Sequence, residues 1–251
     1  MIIAHRGASY DAPENTVASV NLAWEQKADA VEVDVHLSKD NHVIVIHDYT
    51  TKRTTGKDLA IYENTLETIQ QLDAGSWKDS KWRDVKIPSL KEVLQTIPEN
   101  KKIFIEIKSG AECLPEMEKL LLENNLAPHQ IIIMDFDLDT VIRAREEFPE
   151  TEVLWLYEFF NEENSNAIKE KLIEIIEVAG KYKLTGVNIE DIKEFDKSFI
   201  QMAKAGGLKC YCWTVDDPVR VSYLIESGID GITTNRPGWM REELEIIFSN
   251  Q

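Results

Sequence analysis

The sequence has 251 residues, 43% of them hydrophobic, enough for one large α/β domain or two small ones, and barrels of this length usually form one. Forty-five Asp and Glu against 28 Lys and Arg give a formal net charge of −17, which excludes broad attraction to nucleic acid or to an anionic membrane. A small phosphate ester is still admissible, because a few local cations in a cleft decide its binding and screening over ~8 Å hides the distant negative surface.

No basic leader precedes the first apolar run, and no stretch approaches the ~20 apolar residues of a membrane span. The only cysteines are Cys113, Cys210 and Cys212, which read as buried structural thiols. These features predict a cytoplasmic protein without stable membrane association.

In chain order, short apolar runs at 2–4, 30–37, 103–107, 131–134, 153–157, 186–189, 209–213 and 231–234 read as about eight strands. Amphipathic stretches at 16–26, 114–124, 138–148, 198–205 and 219–227 alternate with them as helices. Strand then helix, repeated, predicts a parallel sheet. An open doubly wound sheet needs a glycine-rich phosphate loop after its first strand, and His5-Arg6-Gly7-Ala8-Ser9 is not one, so the expected fold is α/β, a closed (β/α)₈ TIM barrel in a single domain over 1–251.

Two features interrupt the rhythm. After the second strand, Lys39-Asp40-Asn41-His42 separates two alternating runs, and a two-residue Asp40-Asn41 turn would set His47 directly opposite Asp34, on the same face. A one-residue slip would point His47 the other way. Residues 48–88 then form a polar excursion with Trp77, Trp82 and a helical patch near 66–72, expected to cap the C-terminal mouth of the barrel.

Strands of a parallel barrel are buried on both faces, so charges inside them require a cause. Glu32 and Asp34 sit at i and i+2 and project from one face, where two carboxylates repel. A proton or a cation relieves that repulsion, and Glu106 on the next parallel strand adds a third oxygen ligand for a hard ion such as Mg²⁺ or Ca²⁺. The competing reading turns Val33 and Val35 to the core and both carboxylates to water. His5, at the end of the first strand, and His47 are candidates for a general acid and a general base, with the assignment between them open. Arg6 offers a planar fork for phosphate and Lys108 a point charge, unless both merely pair with Glu32 and Glu106 in a metal-free network. Trp213 at a strand end is either core or ligand platform. His36, His42 and His129 read as surface residues.

The ordered set His5-Arg6-Gly7, Pro13-Glu14-Asn15-Thr16, Glu32-Val33-Asp34-Val35, Val45-Ile46-His47-Asp48 and Ile105-Glu106-Ile107-Lys108 resembles the glycerophosphodiester phosphodiesterase family. The likeness continues through Leu72-Asp73-Ala74-Gly75-Ser76-Trp77, Ile87-Pro88-Ser89-Leu90, Trp213-Thr214-Val215 and Asp230-Gly231-Ile232 to Asn235-Arg236-Pro237. The resemblance implies a barrel that hydrolyses glycerophosphodiesters, the deacylated remains of phospholipids, to sn-glycerol 3-phosphate and an alcohol, with one divalent cation, Mg²⁺ or Ca²⁺. It implies His5 and His47 as the catalytic pair, Glu32, Asp34 and Glu106 as metal ligands, Arg6 and Lys108 as phosphate contacts, and Trp213 as a glycerol-side contact. A lysophospholipase D-like activity is the alternative on the same chemistry. Tyr10, Asp135-Phe136 and Asn235 stand where the family more often has Gly, Ser-Phe and Asp, positions expected to lie outside the contacts of the reacting groups.

Overall fold

In the computed structural model, which describes residues 1–124, 126–159 and 164–249, eight parallel strands close into a barrel. They are β1 (Ile2–Ala4), β2 (Ala30–Leu37), β4 (Lys102–Ile107), β5 (Ile131–Asp135), β6 (Glu152–Tyr157), β7 (Gly186–Glu190), β8 (Lys209–Trp213) and β9 (Gly231–Thr234). β3 (Val43–Val45) is antiparallel to β2 and lies outside the ring. Closure comes from β1, which pairs with β9 on one side and β2 on the other. The expected barrel is therefore the observed one.

Alternation along each strand divides the core into two layers. Val31, Val33 and Val35 of β2, Ile103, Ile105 and Ile107 of β4, and Cys210 and Cys212 of β8 face the surrounding helices. Ile3, Ala30, Phe104, Ile132, Leu154 and Tyr211 fill the barrel interior. Phe104 and Tyr211 meet edge to face at 5.3 Å, and a fully buried side chain of this size stabilises by roughly 1.5–3 kcal/mol. All three cysteines are buried and unpaired, as expected. Among the described residues no helix is long and apolar enough to cross a membrane.

Helices start where local chemistry permits. Thr16 accepts from Ser19 N while the Ser19 hydroxyl takes the Thr16 N–H, a reciprocal cap that starts Val17–Glu25 directly after the first loop. Asp137 caps Leu138–Glu147, and Asp217 with Pro218 starts Pro218–Glu226. The caps at Asp137 and Asp217 keep the loops leaving β5 and β8 short, whereas the loop after β1 runs from His5 to Thr16.

The hairpin corrects one expectation. Val35 pairs with Val45 and His36 with Ile44, one residue out of the predicted register, because the loop closes through Ser38 and His42 with Asn41 at φ 60°. The turn thus holds three residues, 39–41, with Asn in the left-handed position that an extra loop residue demands. Asp34 consequently faces Ile46, whose N–H it accepts. A second correction concerns His36, which is buried, not on the surface: its Nε2 meets the His47 carbonyl at 3.0 Å and its ring stands edge-on to Tyr49. His42 and His129 are exposed, as expected.

Residues 48–88 are less polar inside than their composition suggests. Short helices at Lys52–Thr55 and Leu66–Gln70 frame a small apolar cluster in which Ile61, Ile69, Ala74 and Ile87 pack on Ile44 and Ile46 of the hairpin. From this unit Lys78 donates to the Ser9 carbonyl at 2.7 Å, tying it to the loop after β1.

Candidate active site

Ile3 points into the barrel, so His5, two residues on, points the same way at the C-terminal end of β1. Arg6 and Gly7 follow in left-handed conformations, φ 54° and 78°. Only glycine fits at position 7, where a Cβ would lie 2.5 Å from the Ser19 backbone. This tight turn directs the Arg6 N–H at Glu32 Oε2, 2.9 Å away. The strain of a non-glycine residue at positive φ, of order 1–2 kcal/mol, is spent where the loop meets the carboxylates.

Glu32 and Asp34 share the inward face of β2, and the register sets Asp34 beside Glu106 of β4. Both residues of β2 are essentially inaccessible to solvent, so the reading that turns them to water fails: the valines do leave the barrel interior, but the carboxylates enter it. One oxygen from each of Glu32, Asp34 and Glu106 lies within 4.8 Å of the others. Glu32 Oε1, Asp34 Oδ1 and Glu106 Oε1 are buried without a hydrogen bond of acceptable geometry, although Lys108 Nζ abuts Glu106 Oε1 and stands 3.5 Å from Asp34 Oδ1. Three carboxylate oxygens without hydrogen bonds, converging in a buried space, form a group that could hold a hard divalent cation.

The charges respond as this crowding requires. Burial, then the neighbouring Asp34 and Glu106, push Glu32 well above the usual carboxylate range. Burial and Asp34 push Glu106 up to about 8. Burial would raise Asp34 too, but Arg6, Lys108 and the Asn15 amide outweigh it and hold Asp34 low. Asn15 Nδ2 donates to Asp34 Oδ2 at 2.7 Å, and Asn15 Oδ1 accepts the Asp34 N–H. Arg6 Nε stands 3.1 Å from Asp34 Oδ2, and its Nη1 donates to Glu14 at 2.9 Å. Arg6 and Lys108 therefore do pair with the acidic cluster, chiefly through Asp34 and Glu106, and two cations do not neutralise three carboxylates.

The two histidines have different partners. Asn235 Nδ2 donates to Asp216, which turns Asn235 Oδ1 toward His5 Nδ1 at 2.8 Å. His5 Nδ1 must then carry the proton, leaving the Nε2 lone pair 4.0 Å from Glu32 Oε2. Burial and Arg6 push His5 down to about 4. His47 lies in an irregular turn just past the end of β3, which is why the shifted register does not carry it away from the site. Its Nδ1 meets Asp48 Oδ1 at 2.7 Å, and the ring lines a cavity of about 540 Å³ with Lys108 and Asp135. His5 and Arg6 line a separate one of about 230 Å³ with Tyr10, Trp77 and Lys78. Trp213 closes a small cavity with His5, Glu32 and Glu106, its buried Nε1–H unpartnered.

Every candidate residue thus lies on the same face of the barrel. The expectation that Asn235 and Asp135 stand clear of the reacting groups is overturned: Asn235 bonds His5, and Asp135 lines the cavity that holds His47 and Lys108. Sequence reasoning assigned no role to Glu14, Asn15, Asp48 and Arg53. The first three lie inside the quoted motifs, whereas Arg53 carried no local signal.

A (β/α)₈ barrel with a buried tricarboxylate cluster, two histidines and two cations at its C-terminal mouth has the make-up of a phosphate-ester hydrolase. The family model for the glycerophosphoryl diester phosphodiesterase family matches residues 5–239, and the chain belongs to that family. It is 34% identical to a glycerophosphodiester phosphodiesterase of Caldanaerobacter subterraneus subsp. tengcongensis, with 94% of each chain covered. Among solved structures, an Oleispira antarctica phosphodiesterase in complex with the product sn-glycerol-3-phosphate superposes with a TM-score of 0.83 at 28% identity, covering 98% of this chain and 96% of that one. The glycerophosphodiester phosphodiesterase of Thermotoga maritima gives 0.74 at 27% identity, covering 98% and 97%.

Proposed function

We propose that the chain hydrolyses glycerophosphodiesters to sn-glycerol 3-phosphate and an alcohol in a single domain whose 48–88 unit caps the catalytic mouth. The observation that carries this reading is the set of three orphaned carboxylate oxygens beside Arg6, Lys108 and two differently partnered histidines. Glu32, Asp34 and Glu106 would hold one divalent cation, Mg²⁺ or Ca²⁺, which when bound supplies positive charge for the phosphate oxygens. Without it Glu32 and Glu106 are relieved by protons, which their raised pKa values retain; a divalent cation would take the place of those protons and, with Arg6 and Lys108, leave about one positive charge to match the substrate anion.

Arg6 presents the guanidinium N–H groups not taken by Asp34 and Glu14, and Lys108 its ammonium, to the phosphate oxygens, while Trp213 offers an indole face and a free N–H to the glycerol side. His5 is neutral, with Nε2 open, and takes the proton of the attacking oxygen. His47 is backed by the Asp48 carboxylate, which compensates positive charge on the ring, and delivers a proton to the departing alkoxide. The P–O bond to the alcohol breaks as the new P–O bond forms; His5 then releases its proton to solvent and His47 takes one up, which resets both rings.

Release of glycerol 3-phosphate from glycerophosphocholine, followed with chelator and after adding Mg²⁺ or Ca²⁺, tests reaction and cation together. Turnover should vanish with EDTA and return with a hard divalent ion. Full turnover in a demonstrably metal-free preparation would refute the reading.

A further inference from the structure

Arg53 lies in the short helix Lys52–Thr55 of the inserted unit and is nearly half exposed, yet four of its five N–H donors are committed. Nε and Nη2 donate to Oδ2 and Oδ1 of Asp48 at 2.8 and 3.0 Å. Nη1 and Nη2 donate to Oε2 and Oε1 of Glu14 at 2.9 and 2.8 Å. Two parallel forks on one guanidinium fix both carboxylates in plane with it, a geometry lysine cannot reproduce. Each carboxylate passes the constraint on. Glu14 Oε1 also accepts from Arg6, and Asp48 Oδ1 from His47 Nδ1. The result is an unbroken line from Arg6 through Glu14, Arg53 and Asp48 to His47.

We propose that Arg53 is a positioning residue for catalysis: by clamping Asp48 against Glu14 it fixes the orientation of the His47 ring relative to Arg6. The need for such a clamp follows from the fold. His47 sits in an irregular turn past the end of β3, outside the ladder that holds Glu32, Asp34 and Glu106, so no strand pairing sets its side chain. Proton transfer is sensitive to displacements of this kind, and a misplacement of about 1 Å can cost 10²-fold. The clamp also gives the inserted unit a role in the chemistry, since Arg53 is delivered by that unit and Glu14 by the loop after β1.

The proposal rests on His47 acting in proton transfer, and a double-mutant cycle separates the two claims. The rate of glycerol 3-phosphate release from glycerophosphocholine is measured for wild type, Arg53→Met, His47→Ala and the double variant, all loaded with the same divalent ion. Arg53→Met should lower kcat roughly 10- to 100-fold, and in the His47→Ala background the same change should cost less than about threefold, because the group it positions is gone. A further 10- to 100-fold loss in that background would overturn the positioning role, whereas near wild-type turnover of His47→Ala alone would overturn the assignment of His47 instead. Lys52→Met, one residue away on an exposed side chain paired with Asp58 at 3.2 Å, should leave turnover unchanged. Should Arg53→Met fail to fold, Arg53→Lys carries the same cycle with the charge retained and the double fork lost. Wild-type kcat in Arg53→Lys would also overturn the proposal.

Discussion

The barrel holds two ionic clusters on its inward-facing strand positions, one at each end, and they are built to opposite rules. At the N-terminal end a single carboxylate, Glu152, receives Lys102 at 3.1 Å, Lys209 at 2.6 Å and the Tyr211 hydroxyl at 3.1 Å. Burial raises its pKa, but the two lysines more than reverse that, and Glu152 titrates below its ordinary range. At the C-terminal end three carboxylates share two cations, each keeps an oxygen without a hydrogen bond, and two of the three titrate high. A cluster with more cations than carboxylates is satisfied and holds strands together. A cluster with the reverse balance is crowded by itself, and the proposed cation would supply the charge it lacks.

Substitution at the two ends should separate turnover from stability. The largest effect is expected at His5, where His5→Ala should lower kcat by roughly 10²- to 10⁴-fold with the melting temperature preserved. A loss within threefold of wild type would remove His5 from the chemistry. Next come the carboxylates. Glu152→Gln removes the negative charge that two lysines share and one of the two oxygens that accept from them and from Tyr211, and should destabilise by about 1–3 kcal/mol in chemical denaturation while glycerol 3-phosphate release continues. Glu32→Gln should do the reverse, lowering turnover yet leaving the metal-free fold about as stable as wild type, since burial and its acidic neighbours already keep Glu32 protonated there. Equal destabilisation by both changes would erase the distinction between the clusters.

The smallest effect is in pH dependence. A carboxyl raised on folding stabilises while protonated, so the contribution of Glu106 is complete below its ordinary 4.5 and is lost as pH rises through about 8. Glu152, lowered on folding, contributes above its ordinary range and loses that contribution as pH falls. Metal-free protein should therefore melt at progressively lower temperature from pH 5 to about 8, and the slope should flatten in Glu106→Gln. An unchanged slope in that variant would contradict the raised titration.

Much of this was legible in the sequence, and the reason is periodicity. Charges at alternate positions of a buried strand cannot be incidental, so Glu32, Asp34 and Glu106 stood out, and parallel register brought them together. The hairpin differs by one residue from its sequence expectation because loop length, not strand pattern, sets the register, and Asn41 at φ 60° accommodates a third loop residue. His36 reads as a surface residue because nothing local shows that the turn carrying His47 folds down over it. Glu14, Arg53 and Asp48 come from two separate loops, Arg53 lying 39 positions from Glu14, and a side-chain clamp of that kind leaves no periodic trace. Asn235 was visible as a departure from the family pattern, but its bond to His5 spans 230 positions and depends on closure of β9 onto β1.

The central claim is that the crowded cluster is completed by a cation, and its most direct test is thermal unfolding of the metal-stripped protein with and without Mg²⁺ or Ca²⁺, for wild type and Glu106→Gln. At a hundredfold excess over Kd the ion should add ~2.7 kcal/mol to wild-type stability, a clear rise in melting temperature, and should leave Glu106→Gln little changed. An unmoved wild-type melting curve at saturating concentrations of both ions would contradict the account.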